Sequence, residues 1–195
     1  MKIVKPIKYL FASLFLAASI GVQAQEFEIN QEKSHITFIS YTKMLGINAE
    51  VAGTFKEFTI RAVKTPSLSN SSVELNIVSN SINTDNNARD NHLKKEDFLN
   101  EEKFKNITFK SSLIKDLGNQ IYTISGMLRV KDKDLPISFK LSAEGGPNNS
   151  WHIKGDTMLS RSAMGINYQA PFFLPEVKDE VKAIFDIWLK PKTSK

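Results

Sequence analysis

The feature that most limits how this chain can fold is a two-residue alternation of apolar and polar side chains, restarted repeatedly between turn signals. Leu135, Ile137, Phe139 and Leu141 alternate with Ser138, Lys140 and Ser142, and Val181, Ala183, Phe185, Ile187 and Leu189 oppose Lys182, Asp186 and Lys190. A period of two places all the apolar residues on one face of an extended strand. The same pattern marks strands at Ser34–Thr42 with Ile36 and Phe38, and at Glu50–Val63 with Val51, Gly53 and Phe55, then Phe58 and Ile60. The parity switch near Lys56-Glu57 predicts a β-bulge, because one extra residue flips the inward side. Val73, Leu75 and Ile77 follow, then Ile107, Phe109 and Leu113, then Tyr122, Ile124, Leu128 and Val130, then Trp151, Ile153, Thr157 and Leu159. Glu26–Asn30 adds a short first strand.

Eight long strands joined mainly by short turns imply antiparallel, up-and-down pairing and closure into a barrel, which removes exposed edges. The fold class expected is all-β: an eight-stranded antiparallel barrel with a short helical insertion between central strands. Strands of this length make a barrel roughly 30 Å tall, with a lumen that is filled by side chains or holds one slender ligand. Inward apolar residues make that lumen the candidate binding site: Ile36, Phe38, Phe55, Leu75, Ile77, Phe109, Ile124, Leu128, Phe139, Leu141, Ile153, Leu159, Phe185 and Ile187. A membrane-spanning barrel inverts this alternation and places aromatic girdles at strand ends. Here the phenylalanines sit mid-strand, so no stable membrane insertion is expected.

The first 24 residues are set apart from the fold. Lys2, Lys5 and Lys8 precede an apolar run from Tyr9 to Val22, and Val22-Gln23-Ala24 places small residues where a leader peptidase cuts. That is the pattern of a secretory signal peptide, cleaved after Ala24, and it predicts a periplasmic or secreted protein. A domain over 25–190 and a polar tail over 191–195 complete the expected organisation. The leader carries three lysines and no acid, so its loss takes the net charge from +5 to +2. A nearly balanced surface gives no electrostatic case for nucleic-acid binding. The absence of cysteine excludes a thiol nucleophile, thiolate metal ligands and disulfides, so stability must come from the core.

One stretch, Ser81–Ser111, breaks the strand rhythm with some two dozen polar, charge-dense residues. It holds His92 beside Arg89, Asp90 and Asp97, a grouping that can be written as an acid/base cluster. The structural alternative is that Arg89 and Asp90 bind each other or nearby carbonyls and brace the insertion, with Thr84-Asp85 and Asp90 at helix N-cap positions. His35 and His152 lie on polar strand faces and are expected to be solvated, and no two histidines have metal-ligand spacing. No serine stands in a nucleophile elbow and no glycine loop cradles phosphate. No catalytic residue, metal or cofactor is assigned. Pro171-Phe172-Phe173-Leu174-Pro175 is a loop of large apolar residues between prolines, and Phe172 and Phe173 are candidates for a plug or a lid at the lumen mouth.

Several of these residues together resemble the YceI-like proteins. The resemblance rests on Ser81-x-x-Thr84, on Arg89-Asp90-x-His92-Leu93 with Asp97-Phe98, and on Phe104-x-x-x-Thr108-Phe109-x-Ser111. It extends to Ser34-x-Ile36-x-Phe38, Gly53-x-Phe55-x-x-Phe58, Gly126-x-Leu128, Pro136-Ile137 and Arg161-Ser162-x-x-Gly165-Ile166. The resemblance implies a lipocalin-like barrel that binds a polyisoprenoid, an isoprenoid quinone or a similar amphiphile, in an exported protein with no catalytic residues, and a homodimer is the family-level expectation. Lys33 and Thr42 stand where the family often has histidine, and Lys105-Asn106 where it often has proline. The expected function is therefore an exported carrier of a long apolar ligand. Its alternatives are a hydrolase or isomerase acting through Asp90, His92 and Asp97, or a filled barrel serving as an interaction module.

Overall fold

In the computed structural model, residues 24–192 are described. The expected leader, Ala24 apart, and the last three residues of the expected tail lie outside them. Eleven strands form a single sheet: β1 (Gln25–Ile29), β2 (His35–Met44), β3 (Ile47–Phe55), β4 (Phe58–Lys64), β5 (Ser72–Val78), β6 (Ile82–Asn83), β7 (Asn106–Asp116), β8 (Ile121–Val130), β9 (Lys133–Gly145), β10 (Trp151–Ser160) and β11 (Glu176–Pro191). A single short helix, α1 (Asn87–Leu93), lies between β6 and β7.

All pairings are antiparallel, and β1 pairs with both β4 and β11, which closes the sheet. The eleven strands amount to eight staves. β11 receives β1 at Leu189–Pro191 and β2 at Glu176–Asp186 along the same side, so β1 and β2 form one broken stave. β3 and β4 form another, and β5 and β6 pair with them as a third. The eight-stranded antiparallel barrel with one helix is thus the fold.

The bulge expected at Lys56-Glu57 is the break between β3 and β4, with Phe55 and Phe58 both turned inward. It is matched by the break at Ser79–Ser81. Lys56 N–H donates to the Ser81 carbonyl at 3.0 Å, and Val78 N–H to the Glu57 carbonyl at 2.9 Å. Two interrupted strands thus supply partners for each other's backbone groups.

A second register shift, between Ser111 and Leu113 of β7, was not legible in the pattern. It places Ile114 opposite Ile124, so Ile114 and not Leu113 joins the core. Met44-Leu45-Gly46-Ile47, which the sequence offers as a tight connection or a single helical turn, is the tight connection. Leu45 (φ 50°) and Gly46 (φ 84°) make the two-residue turn of a hairpin, both in the left-handed region that such turns demand.

Candidate functional site

The barrel encloses a cavity of about 230 Å³. All of the inward residues named from the alternation line it: Ile36 and Phe38 of β2, Phe55 of β3, Leu75 and Ile77 of β5, Phe109 of β7, and Ile124 and Leu128 of β8. Phe139 and Leu141 of β9, Ile153 and Leu159 of β10, and Phe185 and Ile187 of β11 complete the set. The lumen is therefore not filled. Its volume lies below the roughly 300–1,000 Å³ of ordinary ligand pockets, which suits a slender chain better than a bulky ring system.

Aromatic rings shape the wall. Phe139 and Phe185, on strands flanking β10, stack 5.3 Å apart, and Phe109 stands 6.0 Å from Phe139. On the neighbouring strands β2 and β3, Phe38 and Phe55 lie 5.8 Å apart. The polar side chains of the lining are Thr37, Ser40, Thr157 and Arg161, with no carboxylate among them. Arg161 spends its guanidinium on backbone carbonyls: Ile166 at 2.6 Å, Tyr168 at 2.9 Å, Lys178 at 3.3 Å and Val177 at 3.4 Å. It braces the loop between β10 and β11. Asp179 ties the same loop by accepting from Ser160 Oγ at 2.6 Å and from Ser162 N–H at 2.8 Å. The Ser160 hydroxyl bond, then the Ser162 amide, hold the Asp179 carboxyl below its ordinary range.

The strand pattern missed the residues that close one end. Leu93, Phe98 and Leu99 of the insertion and Met164 and Ile166 of the β10–β11 loop also line the cavity. Phe98, Leu99, Met164 and Ile166 are buried. Lys131 Nζ joins the two covers, donating to the Glu96 and Gly165 carbonyls, each at 3.1 Å. The sequence signal was present: Phe98-Leu99 is an apolar pair in a polar stretch, but irregular segments carry no period from which to assign a face.

The insertion is held by a clamp on Thr84. Asp90 accepts from Thr84 N–H at 2.9 Å and from Thr84 Oγ1 at 2.5 Å. Arg89 donates to Thr84 Oγ1 and to its carbonyl, each at 2.8 Å. Both arms of the Arg-Asp pair thus grip one residue rather than each other. The N-cap of α1 is Asn86, whose side chain accepts from Arg89 N–H at 3.0 Å, not Thr84, Asp85 or Asp90.

The acid/base grouping does not assemble. Asp90 is buried in the clamp, while His92, two residues on and so on another side of the helix, pairs with Asp97 at 2.9 Å near the surface. His92 packs edge-on against Phe98 and Tyr168 and does not line the lumen. His152 is not simply solvated. Its side chain is 16 % exposed, stacks on Trp188 at 3.7 Å and bonds Asp186 at 2.7 Å, because β10 and β11 pair His152 with Trp188 on the outer face. Phe172 and Phe173 do not plug the core. They are 105 % and 72 % exposed and are absent from the lining.

The family of the YceI-like domain matches residues 27–189. A UPF0312 protein of Shewanella denitrificans is 31 % identical over 148 residues, covering 74 % of this chain and 77 % of its own length. One from Shewanella oneidensis is 30 % identical over 155 residues with the same coverage. Among solved structures, BcnA of Burkholderia cenocepacia superposes with a TM-score of 0.73 at 20 % identity, covering 82 % of this chain and 98 % of that one. A polyisoprenoid-binding domain from Saccharophagus degradans, implicated in plant cell wall breakdown, superposes with a TM-score of 0.67 at 11 % identity, covering 85 % and 98 %. With a closed barrel, an apolar lumen and a match across nearly the whole described chain, this protein belongs to the YceI-like domain family.

Proposed function

We propose that this protein is an exported carrier that holds one slender, long apolar molecule, a polyisoprenoid or isoprenoid quinone, in the barrel lumen. The observation that carries this function is the continuous apolar lining contributed by every stave, with no carboxylate in it. Each methylene moved from water into such a lumen contributes about 0.8 kcal/mol before the cost of ordering the chain. A ligand of many methylenes can thus be held without a single strong polar contact. The shared fold of the Saccharophagus polyisoprenoid-binding domain supports the choice of ligand class. The basic and apolar leader supports export, with a mature chain that begins at Gln25.

Native mass spectrometry of protein purified from its host is the test. A retained lipid, on a chain whose mass begins at Gln25, is the expected result. Reproducible absence of lipid, with no uptake of added isoprenoid quinone, would sink the carrier role. Turnover of a lipid-like substrate by His92 has no support in the geometry, because the lumen and the His92–Asp97 pair are separate.

A further inference from the structure

The lumen wall continues into an arm. Ser40 and Val177 are both in the lining, and beyond them β2 and β11 remain paired as far as Lys43 and Glu176. From these paired ends each strand runs into an apolar tip: the β2–β3 turn with Met44, Leu45 and Ile47, and the loop Phe172-Phe173-Leu174 that leads into β11. Among the described residues, nine large hydrophobic side chains are exposed, and six of them are in these two tips. Leu45 is 93 % exposed and Phe172 fully so.

We propose that the two tips dock reversibly into the surface of a zwitterionic lipid bilayer, where the barrel takes up or releases its ligand. Clustered exposed apolar side chains mark an interaction surface. Two narrow, projecting tips fit the yielding interface of a bilayer better than a flat protein face of about 800 Å² per partner. The flanking charges are balanced, with Lys43 and Lys178 against Glu50 and Glu176, and Lys178 lies 3.6 Å from Glu176, so anionic lipid is not the attraction. Depth is limited by β3, whose edge from Ile47 to Gly53 has no strand partner beyond β2 among the described residues and cannot enter hydrocarbon unpaired. Only the tips enter. The reason to dock rests on the carrier role, because a ligand suited to this lumen resides in membranes.

The test uses phosphatidylcholine vesicles and the chain purified after export. Leu45→Trp and Phe172→Trp, made singly, should each shift emission to the blue on adding vesicles and be quenched by acyl-brominated lipid, above the background of Trp151 and Trp188 in the parent. The double variant Leu45→Ser with Phe172→Ser should partition at least about tenfold more weakly. Added sodium chloride should leave the parent's partitioning unchanged. Water-like emission in both tryptophan variants overturns the proposal, and so does self-association through the tips without vesicle binding. Lipid retained in the lumen of a protein whose tips stay in water would overturn docking and leave the carrier role standing. Tips that enter the bilayer around a lumen that never loads would sustain docking and overturn the carrier role.

Discussion

The ring of Phe38 lies over Gly53, its partner across β2 and β3, so closely that a Cβ on Gly53 would overlap the ring edge and stand 2.7 Å from the Thr84 methyl. The glycine is needed for what it lacks. Gly126, paired with Ser111, likewise sits under the ring of Phe109, which would meet its Cβ at 2.7 Å, and against the Lys110 carbonyl. In both places an inward glycine lets a neighbouring phenylalanine lie along the wall instead of across the lumen.

Gly53→Ala is therefore expected to turn the Phe38 ring into the cavity and loosen the Thr84 clamp. Overpacking of this kind costs about 1–3 kcal/mol. Denaturant unfolding of the empty protein reads the stability loss, and quinone binding should weaken alongside it. Unchanged stability and binding would mean that the ring has another place to go.

Thr84→Val keeps the shape of the clamp but takes its hydroxyl from the buried Asp90 and from Arg89. Leaving a buried carboxylate one donor short should cost about 1–3 kcal/mol. His92→Ala removes a half-exposed hydrogen bond to Asp97 and should cost no more than about 1 kcal/mol, with ligand retention intact. Equal losses in the two variants would contradict the division between clamp and surface pair.

Ala183→Phe fills the lumen where β10, β11 and β2 carry Thr157, Ala183 and Phe38 side by side. Circular dichroism should show an unchanged barrel, and the lipid seen by native mass spectrometry should disappear. Retention of the same lipid at the same occupancy would place the ligand elsewhere.

Asp179 gives a pH dependence with a defined sign. Its folded pKa is lowered, so its contribution to stability is fully present above the pKa it has in the unfolded chain. That contribution is lost as pH falls through the lower folded value. Asp179→Asn should accordingly be less stable than the parent at neutral pH, and the two melting temperatures should converge in acid. A difference that persists unchanged through that acid range would assign the effect to packing rather than to charge.

Alternation revealed the eight staves, the inward residues and the break at Lys56-Glu57, because a buried face imposes a period of two wherever the ladder is regular. Leu113 failed as an inward residue because the β7 bulge falls among Ser111, Ser112 and Leu113, where no apolar neighbour marks the change of parity. The grouping of Asp90 with His92 failed for a related reason. Nearness in sequence does not fix direction, and a helix turns residues two apart to different sides.

By itself the sequence determined a cysteine-free β-barrel with one apolar face per strand, since these follow from local patterns that the chain carries in place. Only the tertiary structure decided that the lumen is open rather than filled, that Phe98, Leu99, Met164 and Ile166 close one end, and that Phe172 and Leu45 both stand in solvent. Each of these depends on how irregular segments fall across the barrel. Their positions are set by side-chain bonds between distant parts of the chain, such as Lys131 to Gly165, which no period in the sequence records.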